Sequence, residues 1–167
     1  MTKDQKTNIA VLLIDMQEIF LETINPLNRA LLVYEQQKVL DYCIEQNVPV
    51  ITLEFYDCGD TVNPLKRKTS VNPYHKLIVK SKDDGFTDTD LENQLGEMKV
   101  EDLLLMGVNA SGCVLKTANE AISREFNVHI CTNLIANKYD KPITDNIMNW
   151  YNKNTTVYEN PMDFFKQ

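Results

Sequence analysis

Residues 9–15 read Ile9-Ala-Val-Leu-Leu-Ile14-Asp15, six apolar side chains in an unbroken run closed by a carboxylate. A strand with one face in water alternates apolar and polar residues. A strand that is apolar throughout suits a parallel sheet covered on both faces. The chain around it keeps to that plan. Asn25-Pro26 opens a helix, with Asn as the cap and Pro in the first turn. That helix carries Leu27, Leu31, Tyr34, Val39, Tyr42 and Ile44 and runs up to Asn47. A second strand is expected over Val48–Leu53, followed by a polar connection over 56–75 that contains Gly59, Pro64 and Pro73. Leu77–Val79 reads as a third strand. Thr89-x-x-Glu92 matches a capping box opening a short helix to about Lys99. Leu103–Met106, a helix over 113–126, Val128–Cys131, a helix over Asp140–Tyr151 and a strand over Thr155–Tyr158 complete the alternation. Strands alternating with helices predict one α/β domain over residues 1–167, with a mainly parallel sheet of five to six strands and right-handed crossovers. A single core grows to this size without splitting.

Composition removes several designs. The chain has 17 basic and 24 acidic residues and a formal charge of −7, and its only basic run is Lys66-Arg67-Lys68. Nucleic-acid binders need the opposite balance to neutralise phosphates, so no nucleic-acid partner is expected. Five Gly and two His leave no G-x-G-x-x-G loop and no H-E-x-x-H pair, and no Ser has Gly at both −2 and +2. Met1–Thr7 is polar and lacks an apolar leader, and the longest apolar runs fall far short of the roughly 20 residues that cross a bilayer. Cys43, Cys58, Cys113 and Cys131 form no C-x-x-C pair. They read as reduced thiols of a cytoplasmic protein.

In open α/β sheets, ligands bind beyond the carboxyl ends of the strands. The first strand ends in Asp15 and the third in Lys80. The fourth ends at Gly107-Val108, and a short loop then reaches Cys113 at a helix start. Each has an ordinary structural reading: a turn cap, a lysine where a strand meets water, a small core thiol. Together they place an acid, a base and a thiol on one sheet edge, the set a cysteine hydrolase uses. A helix N-terminus and a nearby lysine are also expected to lower the Cys113 pKa. Gly107-x-x-x-x-Gly112 imitates a phosphate loop, but Cys113-Val114 stands where Lys and Ser/Thr belong.

Three motifs carry a resemblance. Ile14-Asp15-Met16-Gln17-x-x-Phe20, Lys80 with Phe86 six residues on, and Gly107-Val108 with Cys113-Val114-x-x-Thr117-Ala118 resemble the isochorismatase-like cysteine hydrolases, in order from about Ile9 to Ala136. The resemblance implies a Rossmann-like three-layer α/β/α fold and an Asp15-Lys80-Cys113 triad. It also implies a cis peptide at Val108-Asn109, with an oxyanion hole from the N–H groups of Asn109 and Cys113. Glu54 and Tyr56 occupy the positions where nicotinamidases of the family carry an Asp-x-His metal pair, so no metal or other cofactor is expected. True isochorismatases lack the cysteine that Cys113 supplies. Asn133 stands where many members have Asp, and Asp83-Asp84 where the family usually has Ser-Ala.

The resulting expectation is a metal-free hydrolase of a small amide or N-carbamoyl compound, working through a thioester. Asp15 is the base, Lys80 the positive charge and Cys113 the nucleophile. Phe20, Tyr56 and Phe86 are candidate pocket walls, and a homo-oligomer is expected from the resemblance. The rival reading is a family-fold protein that binds, oligomerises or responds to oxidants without turnover.

Overall fold

The computed structural model of the chain describes residues 8–167; Met1–Thr7, read above as a polar start, lies outside the described residues. Six strands form the sheet: β1 (Ile9–Ile14), β2 (Val50–Phe55), β3 (His75–Lys80), β4 (Asp102–Val108), β5 (Asn127–Ala136) and β6 (Thr156–Tyr158). Their order is β3-β2-β1-β4-β5-β6 and every neighbouring pair is parallel. The helices are α1 (Glu18–Leu21), α2 (Pro26–Gln46), α3 (Asn63–Ser70), α4 (Leu91–Glu97), α5 (Cys113–Ser123) and α6 (Asp145–Asn154), with short 3-10 turns at Lys138–Asp140 and Pro161–Lys166.

The apolar run of β1 divides between two cores, as a doubly covered strand must. Val11 and Leu13 join Leu32, Leu40 and Cys43 of α2, Leu65 of α3 and Phe164. Ala10, Leu12 and Ile14 join Leu91 and Leu95 of α4, Val114 and Ala118 of α5 and Tyr151 of α6. The sheet is therefore the middle of three layers, the Rossmann-like arrangement expected.

Local chemistry sets the ends of α2. The Asn25 side chain accepts from the Leu27 N–H, and Asn47 ends α2 in the left-handed region. The Thr89 capping box does not form. The N-cap position falls on Asp90, whose side chain binds Asn93 and Gln94, while Thr89 donates to the Gly85 carbonyl at 2.6 Å. The 56–75 connection contains α3, whose buried residues are Leu65 and Thr69 alone. β2 starts and ends two residues later than expected, β5 continues from Cys131 to Ala136, and α6 starts at Asp145.

Strand order reverses between β1 and β4, which makes their carboxyl ends the switch point where a crevice opens. Ile14 and Gly107 pair there. A β-carbon on Gly107 would lie 2.0 Å from the Ile14 carbonyl oxygen, and its φ is +139°. Only glycine allows this approach. Gly107→Ala is expected to cost about 3 kcal/mol or more, read as a lowered urea midpoint; an unchanged midpoint would contradict it.

Candidate active site

Asp15 leaves β1 in the left-handed region, with φ 52°, a conformation that Asp tolerates better than most residues. Lys80, at the end of β3, donates to Asp15 Oδ2 at 3.1 Å, and the two side chains are 0% and 2% exposed. The ammonium also donates to the carbonyls of Lys82 (3.0 Å) and Asp83 (3.2 Å), and it lies 4.5 Å from the centre of the Phe55 ring. With three acceptors its three protons are satisfied, which a buried ion pair requires to offset desolvation. Asp15 Oδ1, by contrast, is buried with no hydrogen-bond partner. Burial pushes the Asp15 carboxyl above its ordinary value, opposed by Lys80 and by the nearby Cys113 thiol.

Cys113 is the first residue of α5 and is half-buried. Its thiol is not lowered as the sequence suggested. Burial, then the nearby Asp15 carboxylate, push it up to about 12, with Lys80 opposing and Asp83 adding to the rise. Burial is the largest cause, and the Asp15 carboxylate that the thiol faces adds to it, while the Lys80 protons are taken up by Asp15 and two carbonyls. Buried Cys43 is raised as well, by desolvation, and so is Cys131.

The loop joining β4 to α5 is held from several sides. The Val108-Asn109 peptide is cis, as the resemblance implies. The Asn109 carbonyl accepts from the N–H groups of Gly112 (3.0 Å) and Val114 (3.1 Å), and Asn109 Oδ1 accepts from the Lys138 N–H at 2.8 Å. Tyr151 donates its hydroxyl to the Ala110 carbonyl, and Asn137 accepts from the Ser111 N–H. Among the hydrogen bonds of the described residues, none is donated by the N–H of Asn109 or of Cys113. For Cys113 this follows from its place at the helix start, where N–H groups have no intrahelical acceptor.

The three aromatic candidates differ. Phe20 packs edge-on to Phe55, 6.4 Å between ring centres, and so borders the Lys80 cage. Tyr56 is mostly exposed, just beyond β2. Phe86 is buried against Phe126 with Arg124 stacked on it, the setting of a core aromatic. Glu54 accepts from the Thr61 N–H and hydroxyl, so its carboxylate is engaged within the fold. Among the described residues no group of three or more His, Cys, Asp or Glu side chains is placed to hold a metal ion, and no helix is long and apolar enough to cross a membrane.

Sequence reasoning missed the supporting residues. Gln17 is fully buried. It accepts from the Phe55 N–H and donates to the carbonyls of Phe55 and Gly59, tying the ends of β1 and β2 together. Lys138 sits beside Asn109, with its ammonium 4.5 Å from the Phe20 ring centre. Asp83 contributes a carbonyl to the Lys80 cage. Gln17 stands inside the first motif and Asp83 is a departure in the lysine segment, though sequence reasoning gave neither a role; nothing local marked Lys138.

Comparison with known proteins agrees with this architecture. The isochorismatase-like hydrolase from Alkaliphilus metalliredigens superposes with a TM-score of 0.81 at 19% identity, over 96% of this chain and 99% of that one. The N-carbamoylsarcosine amidase of Thermoplasma acidophilum gives 0.77 at 18% identity, over 93% and 98%. In sequence, the uncharacterized isochorismatase family protein YaaI of Bacillus subtilis (strain 168) is 34% identical over 65 residues, a match spanning 39% of this chain and 36% of that protein. Residues 9–155, nearly the whole described chain, match the isochorismatase domain. With the acid, lysine and thiol meeting at the switch point of the sheet, this chain belongs to the isochorismatase family of hydrolases.

Proposed function

We propose that the protein is a cysteine-dependent hydrolase of a small amide or N-carbamoyl compound. The observation that carries this reading is the buried Asp15–Lys80 pair near the Cys113 thiol, with Asp15 Oδ1 taking no hydrogen bond among the described residues. A thiol raised to about 12 is not a standing thiolate at neutral pH. It must surrender its proton as it attacks, and Asp15 is the acceptor. Sγ then bonds to the carbonyl carbon while the oxyanion takes the open N–H groups of Asn109 and Cys113. Asp15 returns the proton to the leaving nitrogen, the C–N bond breaks, and a thioester remains. Asp15 next takes a proton from water as the hydroxyl attacks the thioester. The thiolate leaves and is reprotonated from Asp15. Lys80 keeps one charge fixed beside the carboxyl throughout.

Support for a vinyl-ether or metal-dependent reaction is weaker, given the nucleophile at Cys113 and a Glu54 carboxylate engaged by Thr61.

Lys138 narrows the substrate. Its backbone is fastened to the Asn109 side chain, its ammonium lies over Phe20, and it makes no salt bridge among the described residues. A cation without a counter-ion at the site favours an amide that bears a carboxylate. Lys138→Met is expected to raise KM about tenfold for anionic amides with kcat nearly unchanged, and to leave neutral amides unaffected. Ammonia release from paired anionic and neutral amides measures this. A panel of small amides and N-carbamoyl amino acids, assayed with wild type and Cys113→Ala, tests the reading as a whole; activity that survives the substitution would refute it.

A further inference from the structure

Two acidic residues, Asp83 and Asp84, follow the lysine, and their side chains have different surroundings. The Asp84 carboxylate accepts from the N–H groups of Phe86 (2.8 Å) and Thr87 (2.7 Å), closing a local turn. The Asp83 carboxylate closes no turn. It pairs with Lys116, which lies on α5 one turn beyond Cys113. The Asp83 carbonyl meanwhile accepts from the Lys80 ammonium. A second tie runs alongside, where the Gly85 N–H donates to the buried Thr117 hydroxyl at 3.0 Å. Residues 82–85 thus touch the triad lysine on one side and the helix of the triad cysteine on the other.

The Asp83 and Lys116 side chains are 52% and 59% exposed. An ion pair this open contributes little to stability. Its position next to the reacting groups is more telling. Asp83 opposes ionisation of both Asp15 and Cys113, and Lys116 in turn responds to Cys113. The charged groups around Asp83 are Lys80 from β3, Asp15 from β1, Cys113 and Lys116 from α5, and Asp84 beside it.

We propose that Asp83 and Lys116 are positioning residues that act as one electrostatic latch: they fasten the turn caging Lys80 to the helix of Cys113, and they hold at the first turn of that helix a negative charge that Lys116 offsets. The proposal rests on Cys113 being the reactive group, but its test needs no turnover.

The test is the rate at which neutral iodoacetamide alkylates Cys113 in the intact protein at pH 8.5, followed by peptide mass spectrometry. The rate tracks the thiolate fraction, and the neutral reagent does not itself respond to the field. Asp83→Asn removes the opposing charge and is expected to speed alkylation about fivefold. Lys116→Met leaves Asp83 uncompensated and is expected to slow it by a similar factor, with the double variant returning close to wild type. Moderate salt should shrink both shifts. Equal rates in all proteins, shifts of the same sign in both single variants, or an Asp83→Asn protein in which Cys113 resists labelling up to pH 10 would each overturn the latch. A protein that shows these shifts yet hydrolyses no amide would refute the hydrolase reading and leave the latch standing.

Discussion

Cys113→Ala is expected to lower amide hydrolysis by at least about 10,000-fold with the fold unchanged, the scale seen when one member of a nucleophilic triad is removed. The thiol is half-buried at the start of α5, and alanine is the best helix former. Asp15 keeps its Lys80 partner, so no buried charge is orphaned and the urea midpoint should hold. The wild-type pH profile carries a second signature. Asp15 must be ionised to accept the thiol proton, and burial raises its carboxyl. The acidic limb of kcat/KM should therefore lie above the ordinary carboxylate range, with activity rising as pH increases through it. Because the thiol is pushed up to about 12, its deprotonation should cause no decline across neutral and mildly alkaline pH. A thiolate preformed at pH 7, seen as fast alkylation of Cys113 with a midpoint near or below neutrality, would contradict this order of proton transfer.

What was legible in the sequence, and what was not, follows from how each feature is encoded. β1 could be read outright because both of its faces are buried, so its burial is written residue by residue. The ends of α2 could be read because Asn25, Pro26 and Asn47 act on their own backbone. The α3 helix stayed hidden because only Leu65 and Thr69 turn inward, too few to make a period. β5 looked shorter than it is because Thr132 and Asn133 are exposed midway. At the site, Asp15, Lys80 and Cys113 could be placed on one edge from strand ends alone. The charge state of the thiol could not. It depends first on how far the fold buries Cys113 and then on the Asp15 charge it faces, and two of the three acceptors that hold the Lys80 ammonium in place are backbone carbonyls that carry no residue-specific signal. Lys138 is concealed in the same way, since its main chain is what fixes it beside Asn109.

Lys80→Met separates the structural and chemical duties of the buried pair. Removing one partner of a buried ion pair costs about 3–5 kcal/mol, because the other charge is left without compensation. Here that charge is the Asp15 carboxylate, already short of a partner at Oδ1. The penalty should depend on pH in a definite sense. Burial raises the Asp15 carboxyl in the folded protein, and Lys80 opposes that rise. Without the lysine the rise is larger, so the folded variant holds a proton that the unfolded chain has released. Stability relative to wild type should then be lowest at neutral pH and recover as pH falls toward the ordinary carboxylate value. The double variant Asp15→Asn, Lys80→Met replaces both charges with neutral groups of similar size, and should regain most of the lost stability. Both proteins should lose most activity, since the first holds a base whose ionisation burial opposes with no lysine to favour it and the second has no base. Urea midpoints from pH 4 to 8, with ammonia release at each pH, measure both effects. A Lys80→Met protein that retains a tenth of wild-type activity, or a double variant no more stable than the single one, would show that this pair is not the charge on which the site depends.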